Sequence, residues 1–388
     1  MKYSARMDEV KPSATLAITS KAKALRASGE DVIILAAGEP DFDTPEEVKK
    51  AAIEAVNSGD TKYTPAGGRL SLKEAIKRKF KDDNSLDYDV SEIVVSSGAK
   101  HSLYNIFQVI CNDGDEVIII HPYWVSYPEM VRLAGGVPKF VKTSAEKGFK
   151  AGEEDILSAV SGRTKALVIN SPSNPCGAIY SREDLRKIAK ICIEKDILII
   201  SDEIYEKIIF DGQEHASIAS ISPEVKAKTI VVNGVSKSFS MTGWRIGYMA
   251  GDKEMIKKVN TLQSHSTSNP CSISQAAAEY AISKGLTEEM ERNCSKFQER
   301  RDVLMKGLLS IDKAKPFKPE GAFYFFCDIS GYGLDSMTFA ERLLDEAKVA
   351  VIPGAPFGDD RFIRISFATD VDTIKKGITR IKEWAGSL

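Results

Sequence analysis

The sequence has 388 residues, of which 43% are hydrophobic and 28% are charged, and its formal net charge at pH 7 is -2. This length favours two domains over a single core, and the small net charge argues against binding to nucleic acid or to an anionic membrane surface. No apolar run reaches the roughly 20 residues that cross a bilayer, and the N-terminal segment lacks the apolar core of a signal peptide, so a cytoplasmic protein is expected.

Strands and helices alternate through the first two thirds of the chain. Thr44 is predicted to cap a helix that has Pro45 at its first position. The apolar segments "EIVVSSG", "EVIII", "KALVIN", "ILIISDE", "TIVVNG" and "RIGYMAG" are predicted strands. Short apolar strands between amphipathic helices indicate an α/β fold with a mostly parallel central sheet flanked by helices. We expect this large domain to span residues 46–284.

The pattern changes near Gly285. A long charged helix leads to the predicted strands "GAFYFFCDI", "VAVIPG" and "FIRISFA". This order is typical of a smaller α+β domain. We expect that domain to combine residues 1–45, as an N-terminal arm, with residues 285–388.

Cysteine and histidine give little sign of metal binding. The six cysteines form no C-x-x-C pair and are expected to be free thiols, while the four histidines form no helical metal pair. We therefore expect no metal site.

The carboxyl ends of parallel strands are where ligands bind in open α/β sheets. After "EIVVSS", the turn of Gly98, Ala99 and Lys100 opens a helix, and the free N–H groups of a helix N-terminus suit a phosphate. The chain has neither a G-x-G-x-x-G motif nor a Walker loop, which argues against a nicotinamide dehydrogenase.

Asp202 ends the apolar run "DILIIS", where a buried carboxylate needs a cation or a hydrogen-bond donor. A helix N-cap is the competing interpretation of this residue.

A lysine and an arginine follow "TIVVN" in the stretch "NGVSKSFSMTGWRIGY". A partly buried Lys237 would have a lowered pKa and become a nucleophile able to form a Schiff base. Arg245 would bind a phosphate as a bidentate fork. A phosphate cradle, a buried carboxylate and an amine nucleophile are together what pyridoxal 5'-phosphate requires.

The stretch from Gly234 to Gly247 resembles the lysine signature of the class I, fold type I pyridoxal-phosphate aminotransferases, with the arginine eight positions after the lysine. The likeness extends over nearly the whole chain and is close to the subgroup Ib aspartate aminotransferases. The segments that carry it include "AAGEPDFDTP", "KYTPAGG", "SSGAKHSLYN", "PYWVSYPEM", "NSPSNPCGAIY", "SDEIYE" and "PEGAFYFF".

The resemblance implies a role for each matching residue toward the cofactor. Lys237 matches the Schiff-base lysine, which also moves the substrate's α-proton, and Asp202 matches the partner of the pyridine nitrogen. The remaining matches are Tyr205 and Asn174 at the ring hydroxyl, Trp124 stacked on the ring beside the substrate, Gly98, Ala99 and Arg245 at the phosphate, and Tyr63 at the phosphate of a neighbouring subunit. A homodimer is implied.

The resemblance also implies the substrate contacts. Arg364 in "RISFA" matches the arginine that forks onto the α-carboxylate, with help from Gly38 and Asn174. Lys100 matches the lysine that meets the distal carboxylate, with help from Ser13 and Thr15.

Two positions depart from the family pattern. Gly234 stands where many relatives carry a hydroxyl residue that contacts the phosphate, and Cys176 turns the common "NPTG" into "NPCG". A buried, inert thiol is expected at Cys176.

The expected activity is ping-pong transfer of the amino group from L-aspartate to 2-oxoglutarate. A prephenate or aromatic aminotransferase is the alternative, and a β-lyase or a decarboxylase of the same fold stays open. A ligand-sensing domain of a transcription regulator is disfavoured because "AAGEP" already begins at Ala36, leaving no room for a DNA-binding module.

Overall fold

The computed structural model describes residues 3–12 and 14–388. Its strands are β1 (Ile33–Ile34), β2 (Ile93–Ser96), β3 (Glu116–Ile120), β4 (Val137–Val141), β5 (Thr164–Asn170), β6 (Leu198–Asp202), β7 (Thr229–Gly234), β8 (Gly247–Ala250), β9 (Lys315–Phe317), β10 (Tyr324–Asp328), β11 (Val349–Ala350), β12 (Ile352–Pro353) and β13 (Phe362–Ser366). Its α-helices are α1 (Ala14–Ala27), α2 (Glu46–Asn57), α3 (Leu70–Asn84), α4 (Ala99–Ile110), α5 (Ser126–Leu133), α6 (Glu153–Leu157), α7 (Arg182–Glu194), α8 (Pro223–Ala227), α9 (Lys253–Ser264), α10 (Ser272–Lys284), α11 (Thr287–Leu308), α12 (Ser336–Ala347) and α13 (Val371–Ala385).

A seven-stranded sheet in the order β2-β8-β7-β6-β5-β3-β4 forms the centre of the molecule. Strand β8 runs antiparallel to both of its neighbours, whereas the pairs from β7 through β6, β5 and β3 to β4 are parallel. The prediction of a mostly parallel central sheet is therefore confirmed. The carboxyl ends of β5, β6 and β7 lie side by side at one edge of this sheet.

The sheet is buried on both faces because amphipathic helices cover it. In α7, the apolar residues Leu185, Ile188 and Cys192 are buried against the sheet, while the Ser181 hydroxyl caps the first turn by accepting from the Asp184 N–H. Each fully buried side chain of the size of leucine contributes about 1.5–3 kcal/mol relative to exposure. Apolar burial on both faces explains why the strand sequences are continuous apolar runs.

A smaller antiparallel sheet in the order β12-β13-β10-β9 follows, and a parallel pair joins β1 near the N-terminus to β11. The pairing of β1 with β11 explains how the N-terminal arm joins the C-terminal part of the chain. The segment "VAVIPG", expected as one strand, is divided between two sheets, because β11 pairs with β1 and β12 pairs with β13. The domain boundaries at residues 46 and 284 stay a prediction.

The expected cap of α2 is wrong. Pro45 occupies the N-cap position, and no side chain caps the helix. The Thr44 hydroxyl instead donates to the Ser240 carbonyl at 3.0 Å and accepts from Trp244 Nε1 at 2.9 Å. The Thr44 hydroxyl therefore makes tertiary hydrogen bonds and does not form the helix cap that the local sequence predicts.

Within the described residues, no helix combines the length and the apolar character that a membrane crossing requires.

Candidate active site

A cavity of about 410 Å³ lies at the carboxyl ends of the parallel strands and is lined by residues of both sheets. Eleven of the residues predicted from the sequence line it: Thr15, Gly38, Ala99, Lys100, Trp124, Asn174, Asp202, Tyr205, Lys237, Arg245 and Arg364. Ser13 lies outside the described residues. Gly98 and Tyr63 do not line the cavity.

Lys237 follows β7 and is half-buried at the cavity wall. Its Nζ donates to the Gly38 carbonyl at 2.5 Å. Desolvation lowers the pKa of its ammonium to about 8, although the nearby Glu39 carboxylate opposes that shift. The amine is thus closer to its nucleophilic form at neutral pH than an exposed lysine is.

Asp202 ends β6, is 4% exposed and pairs in register with Asn170 of β5. Burial raises the pKa of its carboxyl to about 6, while hydrogen bonds from the Tyr127 hydroxyl at 2.6 Å and the Ile204 N–H at 3.3 Å oppose that rise. The described chain continues from Asp202 into a turn and not into a helix, so the N-cap interpretation does not hold.

Arg245 and the N-terminus of α4 lie together at one corner of the site. Gly98 caps α4 with a φ of 91°, and Arg245 adopts a left-handed φ of 55°. A Cβ at position 98 would lie 2.3 Å from Arg245 Nη2, so glycine is what lets the guanidinium approach the helix end. Free N–H groups, the helix dipole and a guanidinium at one corner suit a phosphate.

Arg364 lies on β13 and is only 2% exposed. Its Nη1 donates to Asn174 Oδ1 at 2.9 Å and its Nη2 to the Ala36 carbonyl at 3.2 Å, while the guanidinium carbon lies 4.2 Å from the centre of the Tyr324 ring. Its Nε is buried and has no hydrogen-bond partner among the described residues. Because Arg364 lines the cavity, a carboxylate that enters it would meet this guanidinium.

Lys100 occupies the first turn of α4, where it is exposed at the rim of the cavity. Its Nζ lies 4.9 Å from the centre of the Trp124 ring. Partial desolvation, and then the positive charge of Arg245, lower the pKa of this lysine. A second, carboxylate-bearing end of a ligand would therefore find a cation here.

The other predicted residues lie in different surroundings. Tyr205 and Thr15 line the cavity, whereas Tyr63 lies on the surface. The buried Tyr205 hydroxyl lies 3.0 Å from the Tyr324 hydroxyl. Thr15 lines the cavity, and its hydroxyl is buried without a hydrogen-bond partner among the described residues. Tyr63 is 92% exposed on the surface.

Comparison with known proteins identifies the family. The family model for aminotransferases of class I and II matches residues 30–381. The chain belongs to this family. It is 53% identical to an aspartate aminotransferase of Bacillus sp. (strain YM-2), with 97% of each chain covered. It is 47% identical to a probable aspartate/prephenate aminotransferase of Rickettsia bellii, with 99% of each covered. The structure of the Thermus thermophilus aspartate aminotransferase with maleate superposes with a TM-score of 0.95 at 44% identity, with 99% of each chain covered.

Class I aminotransferases use pyridoxal 5'-phosphate, and the cavity of this aminotransferase fits that cofactor. Lys237 offers an amine of lowered pKa, and Asp202 offers a buried carboxylate. The corner between Gly98 and Arg245, which a Cβ would fill, suits the phosphate. These are the three groups that the cofactor requires.

Three further residues of the aminotransferase site escape prediction from the sequence. Tyr127 donates to Asp202, Tyr324 packs under Arg364, and Asn170 accepts from the Asn174 N–H at 2.8 Å. Tyr127 and Tyr324 lie inside the segments "PYWVSYPEM" and "PEGAFYFF", but nothing in one sequence separates them from core tyrosines. Asn170 ends β5, and a polar residue at a strand end is the same signal that points to Asp202, so this residue could have been found.

The two departures from the family pattern have structural explanations. Gly234 is buried at the end of β7, where a Cβ would lie 3.0 Å from the backbone of Ile246 and Gly247, so a hydroxyl side chain here would require that backbone to shift by a few tenths of an ångström. Burial raises the pKa of the Cys176 thiol to about 11, and its Sγ lies 2.8 Å from the Ser173 hydroxyl. The thiol is therefore protonated and shielded, as expected.

Proposed function

We propose that this aminotransferase transfers the amino group of L-aspartate to 2-oxoglutarate by a ping-pong mechanism, giving oxaloacetate and L-glutamate. The observation that carries the proposal is the placement of two cations on one cavity, with Arg364 buried on β13 and Lys100 at the rim on α4. A dicarboxylic substrate has two carboxylates to match them. The relative that is 53% identical bears the name aspartate aminotransferase.

Arg364 would receive the substrate's α-carboxylate. Its Nε lacks a partner among the described residues, and its planar guanidinium offers the paired donors that match a carboxylate. Asn174 holds Arg364 from one side, and the Tyr324 ring lies 4.2 Å from it on another. This support restricts the guanidinium, so that the α-carbon of the bound substrate is held in one orientation.

Lys237 would move the proton of the substrate's α-carbon. Its amine has a pKa of about 8, near the value that suits a group that both takes up and gives back a proton at neutral pH. Asp202 would hold the ring nitrogen of the cofactor in its protonated form. When bound, pyridoxal 5'-phosphate supplies an aldehyde that accepts the amino group and a ring that withdraws electrons from the α-carbon.

Water must be excluded while the proton is transferred, since it would weaken the charge interactions of Arg364 and Asp202. The cavity is lined by both sheets and by Thr15 and Gly38 of the N-terminal arm. We propose that the smaller sheet and the arm close over the bound substrate, as lids do in many enzymes.

The experiment that tests the substrate is a half-reaction titration. Enzyme carrying the cofactor is mixed with aspartate, glutamate, phenylalanine or the amino product of prephenate, and conversion of the cofactor to its amine form is followed by absorbance. Aspartate and glutamate are expected to convert the enzyme at the lowest concentrations. A preference for phenylalanine would contradict the proposal that Lys100 binds the distal carboxylate of the substrate.

A second candidate is transfer between prephenate and an acidic amino acid. The relative from Rickettsia bellii, at 47% identity, bears the name probable aspartate/prephenate aminotransferase. The same titration separates the candidates, because conversion by prephenate's amino product would add this activity to that with aspartate.

We further propose that the active form is a homodimer in which Tyr63 reaches the phosphate corner of the neighbouring subunit. The support is its 92% exposure, together with the exposed apolar side chains of Ile53, Val56 and Leu70 on α2 and α3. Covering such exposed apolar side chains with a second subunit would remove apolar surface from water and so favour association. Light scattering measures the mass, and a monomer would contradict the proposal. Cytoplasmic localisation stays a prediction.

A further inference from the structure

A buried group of charged side chains lies next to the turn that carries Asp202 and Tyr205 but does not line the active-site cavity. Glu203 is 1% exposed and Glu206 is 6% exposed. Residues 202 and 205 line the cavity, whereas residues 203 and 206 do not. We call this group the back cluster and define it as Lys79, Asn84, Ser201, Glu203, Glu206, His215 and Ser217.

Protein donors satisfy both oxygens of Glu203. Its Oε1 accepts from the Ser201 hydroxyl at 2.8 Å and from the Ser217 hydroxyl at 2.6 Å. Its Oε2 lies 3.0 Å from His215 Nε2. The carboxylate is thus held in one position by β6 and by the loop that contains residues 215 and 217.

Glu206 is satisfied in the same way. Its Oε2 accepts from Asn84 Nδ2 at 2.8 Å, and its Oε1 forms an ion pair with the Lys79 ammonium of α3. Burial favours the neutral acid, but the charges of Lys79 and His215 bring the pKa of Glu206 down to about 2. Glu206 is therefore an anion near neutral pH.

The back cluster is electrically balanced only when His215 carries a proton. Burial favours the neutral imidazole, but Glu203, and after it Glu206, raise the pKa of His215 above its usual value. Two carboxylates then face two cations. The other titratable groups near these carboxylates are the phenols of Tyr88 and Tyr248, whose pKa values burial raises, and the pair of Asp83 with Lys207 beside Lys79.

The ligand atoms of Glu203, Glu206 and His215 lie within 4.8 Å of one another, a spacing that a metal ion would also accept. Both carboxylates, however, already have donors from the protein, and the Lys79 ammonium is in contact with Glu206. Internal cations thus supply the positive charge in this cluster.

We infer that His215 is a positioning residue that acts through Glu203, balancing its charge so that the adjacent Asp202 carboxylate stays anionic toward the ring nitrogen of the cofactor. The inference rests on the proposed function, in which Asp202 holds that nitrogen. Burial is the main cause that raises the pKa of Asp202, and the negative charge of Glu203 adds to it. An imidazolium on Glu203 cancels that added charge.

The variant His215→Gln tests the charge by itself, because a glutamine amide still donates to Glu203 but carries no charge. The measurement is the dissociation constant of pyridoxal 5'-phosphate between pH 5.5 and 8.5, from quenching of tryptophan fluorescence. An unbalanced neighbouring charge should move the titration of Asp202 upward by about one pH unit. Affinity should then fall by up to about tenfold near pH 6 and match the wild type at pH 8.5.

The double variant Glu203→Gln with His215→Gln is the matched control. It removes both charges of the pair, so its pH profile should return to that of the wild type. A merely structural role predicts no such rescue. If His215→Gln does not fold, the double variant alone tests the inference. A shift in the midpoint of its pH profile of cofactor binding, relative to the wild type, would contradict the inference.

Two results would overturn the inference while leaving the proposed function standing. One is a His215→Gln profile that coincides with that of the wild type, and the other is a shift that Glu203→Gln does not reverse. Failure of the proposed function looks different, because the wild type itself would then not bind pyridoxal 5'-phosphate at pH 8.5. A 1-deaza analogue, which lacks the ring nitrogen, should show no loss of affinity in His215→Gln.

Discussion

The proposed cofactor end and the proposed substrate end of the cavity are assembled in different ways. At the cofactor end, Lys237 and Arg245 come from one short stretch after β7, and Asp202 ends the adjacent strand. At the substrate end, Arg364 comes from β13, Asn174 follows β5, and the contact of Arg364 with Ala36 brings in the N-terminal arm. The cofactor end is therefore built on the central sheet alone, whereas the substrate end also needs a strand of the smaller sheet and the N-terminal arm.

Each end combines a buried charge with an exposed one. Arg364 is only 2% exposed, while Arg245 and Lys100 are exposed. Asp202 is enclosed as well, and burial moves its pKa to about 6. Enclosed charges carry the larger energies, because solvent screens exposed ones. Substitutions of the enclosed groups should therefore have the larger effects.

Removal of Lys237 should have the largest effect. Lys237→Ala loses both the amine that holds the cofactor and the proton carrier, and acid–base catalysis alone contributes about 10²–10⁴-fold. We expect kcat to fall by about 10⁴-fold in a coupled assay with aspartate and 2-oxoglutarate. Lys190→Ala, at an exposed position on α7, is the control and should keep wild-type turnover. Near-full turnover in Lys237→Ala would contradict the proposal that Lys237 holds the cofactor and moves the α-proton.

Arg364→Ala breaks the substrate end. Truncating one partner of a buried charged pair costs about 2–5 kcal/mol, so kcat/KM should fall by about 30- to 4,000-fold. The loss should be similar for aspartate and phenylalanine, because both carry the α-carboxylate. The variant Arg364→Lys keeps the positive charge but not the paired donors of the guanidinium. Its kcat/KM should lie between those of the wild type and of Arg364→Ala. An unchanged KM would show that the α-carboxylate binds elsewhere.

The lowered pKa of Lys237 predicts how the rate of cofactor binding depends on pH. Since burial lowers that pKa to about 8, the neutral amine predominates above pH 8 and the ammonium below it. Uptake of pyridoxal 5'-phosphate by cofactor-free protein should speed up about tenfold per pH unit below pH 8 and level off above. Stopped-flow absorbance measures this rate. A rate still rising at pH 10 would indicate an ordinary, solvated lysine.

Lys100→Gln separates the two carboxylates of the substrate. Loss of one charge-assisted hydrogen bond at an exposed site should raise the KM for aspartate by about tenfold. The KM for phenylalanine should not change, because its ring has no charge for this lysine to meet. Lys100→Arg is the matched control. Equal effects on both amino acids would remove Lys100 from substrate recognition.

Tyr63→Phe should have the smallest effect. Loss of one hydrogen bond to the phosphate costs about 1 kcal/mol and should weaken cofactor binding by about fivefold. The mass in light scattering should stay that of a dimer, since the phenyl ring remains. An unchanged dissociation constant would mean that the hydroxyl does not reach the neighbouring cavity.

The sequence by itself determined the fold class and the cofactor end of the cavity. Apolar strands alternating with amphipathic helices specify a buried parallel sheet, and strand ends of such a sheet meet at one edge. That is why the strand ends in the sequence point to Asp202, Lys237 and the Gly98 turn. The family resemblance adds Arg364, Asn174 and Lys100, which local patterns do not reveal.

The tertiary structure alone decided which groups support these residues. Thr44 was expected to cap α2, but packing assigned its hydroxyl to Ser240 and Trp244. The contact of Tyr127 with Asp202 spans 75 positions along the chain, and that of Tyr324 with Tyr205 spans 119. Such partners carry no local periodicity, because a buried polar group takes whichever donor the folded chain brings within reach.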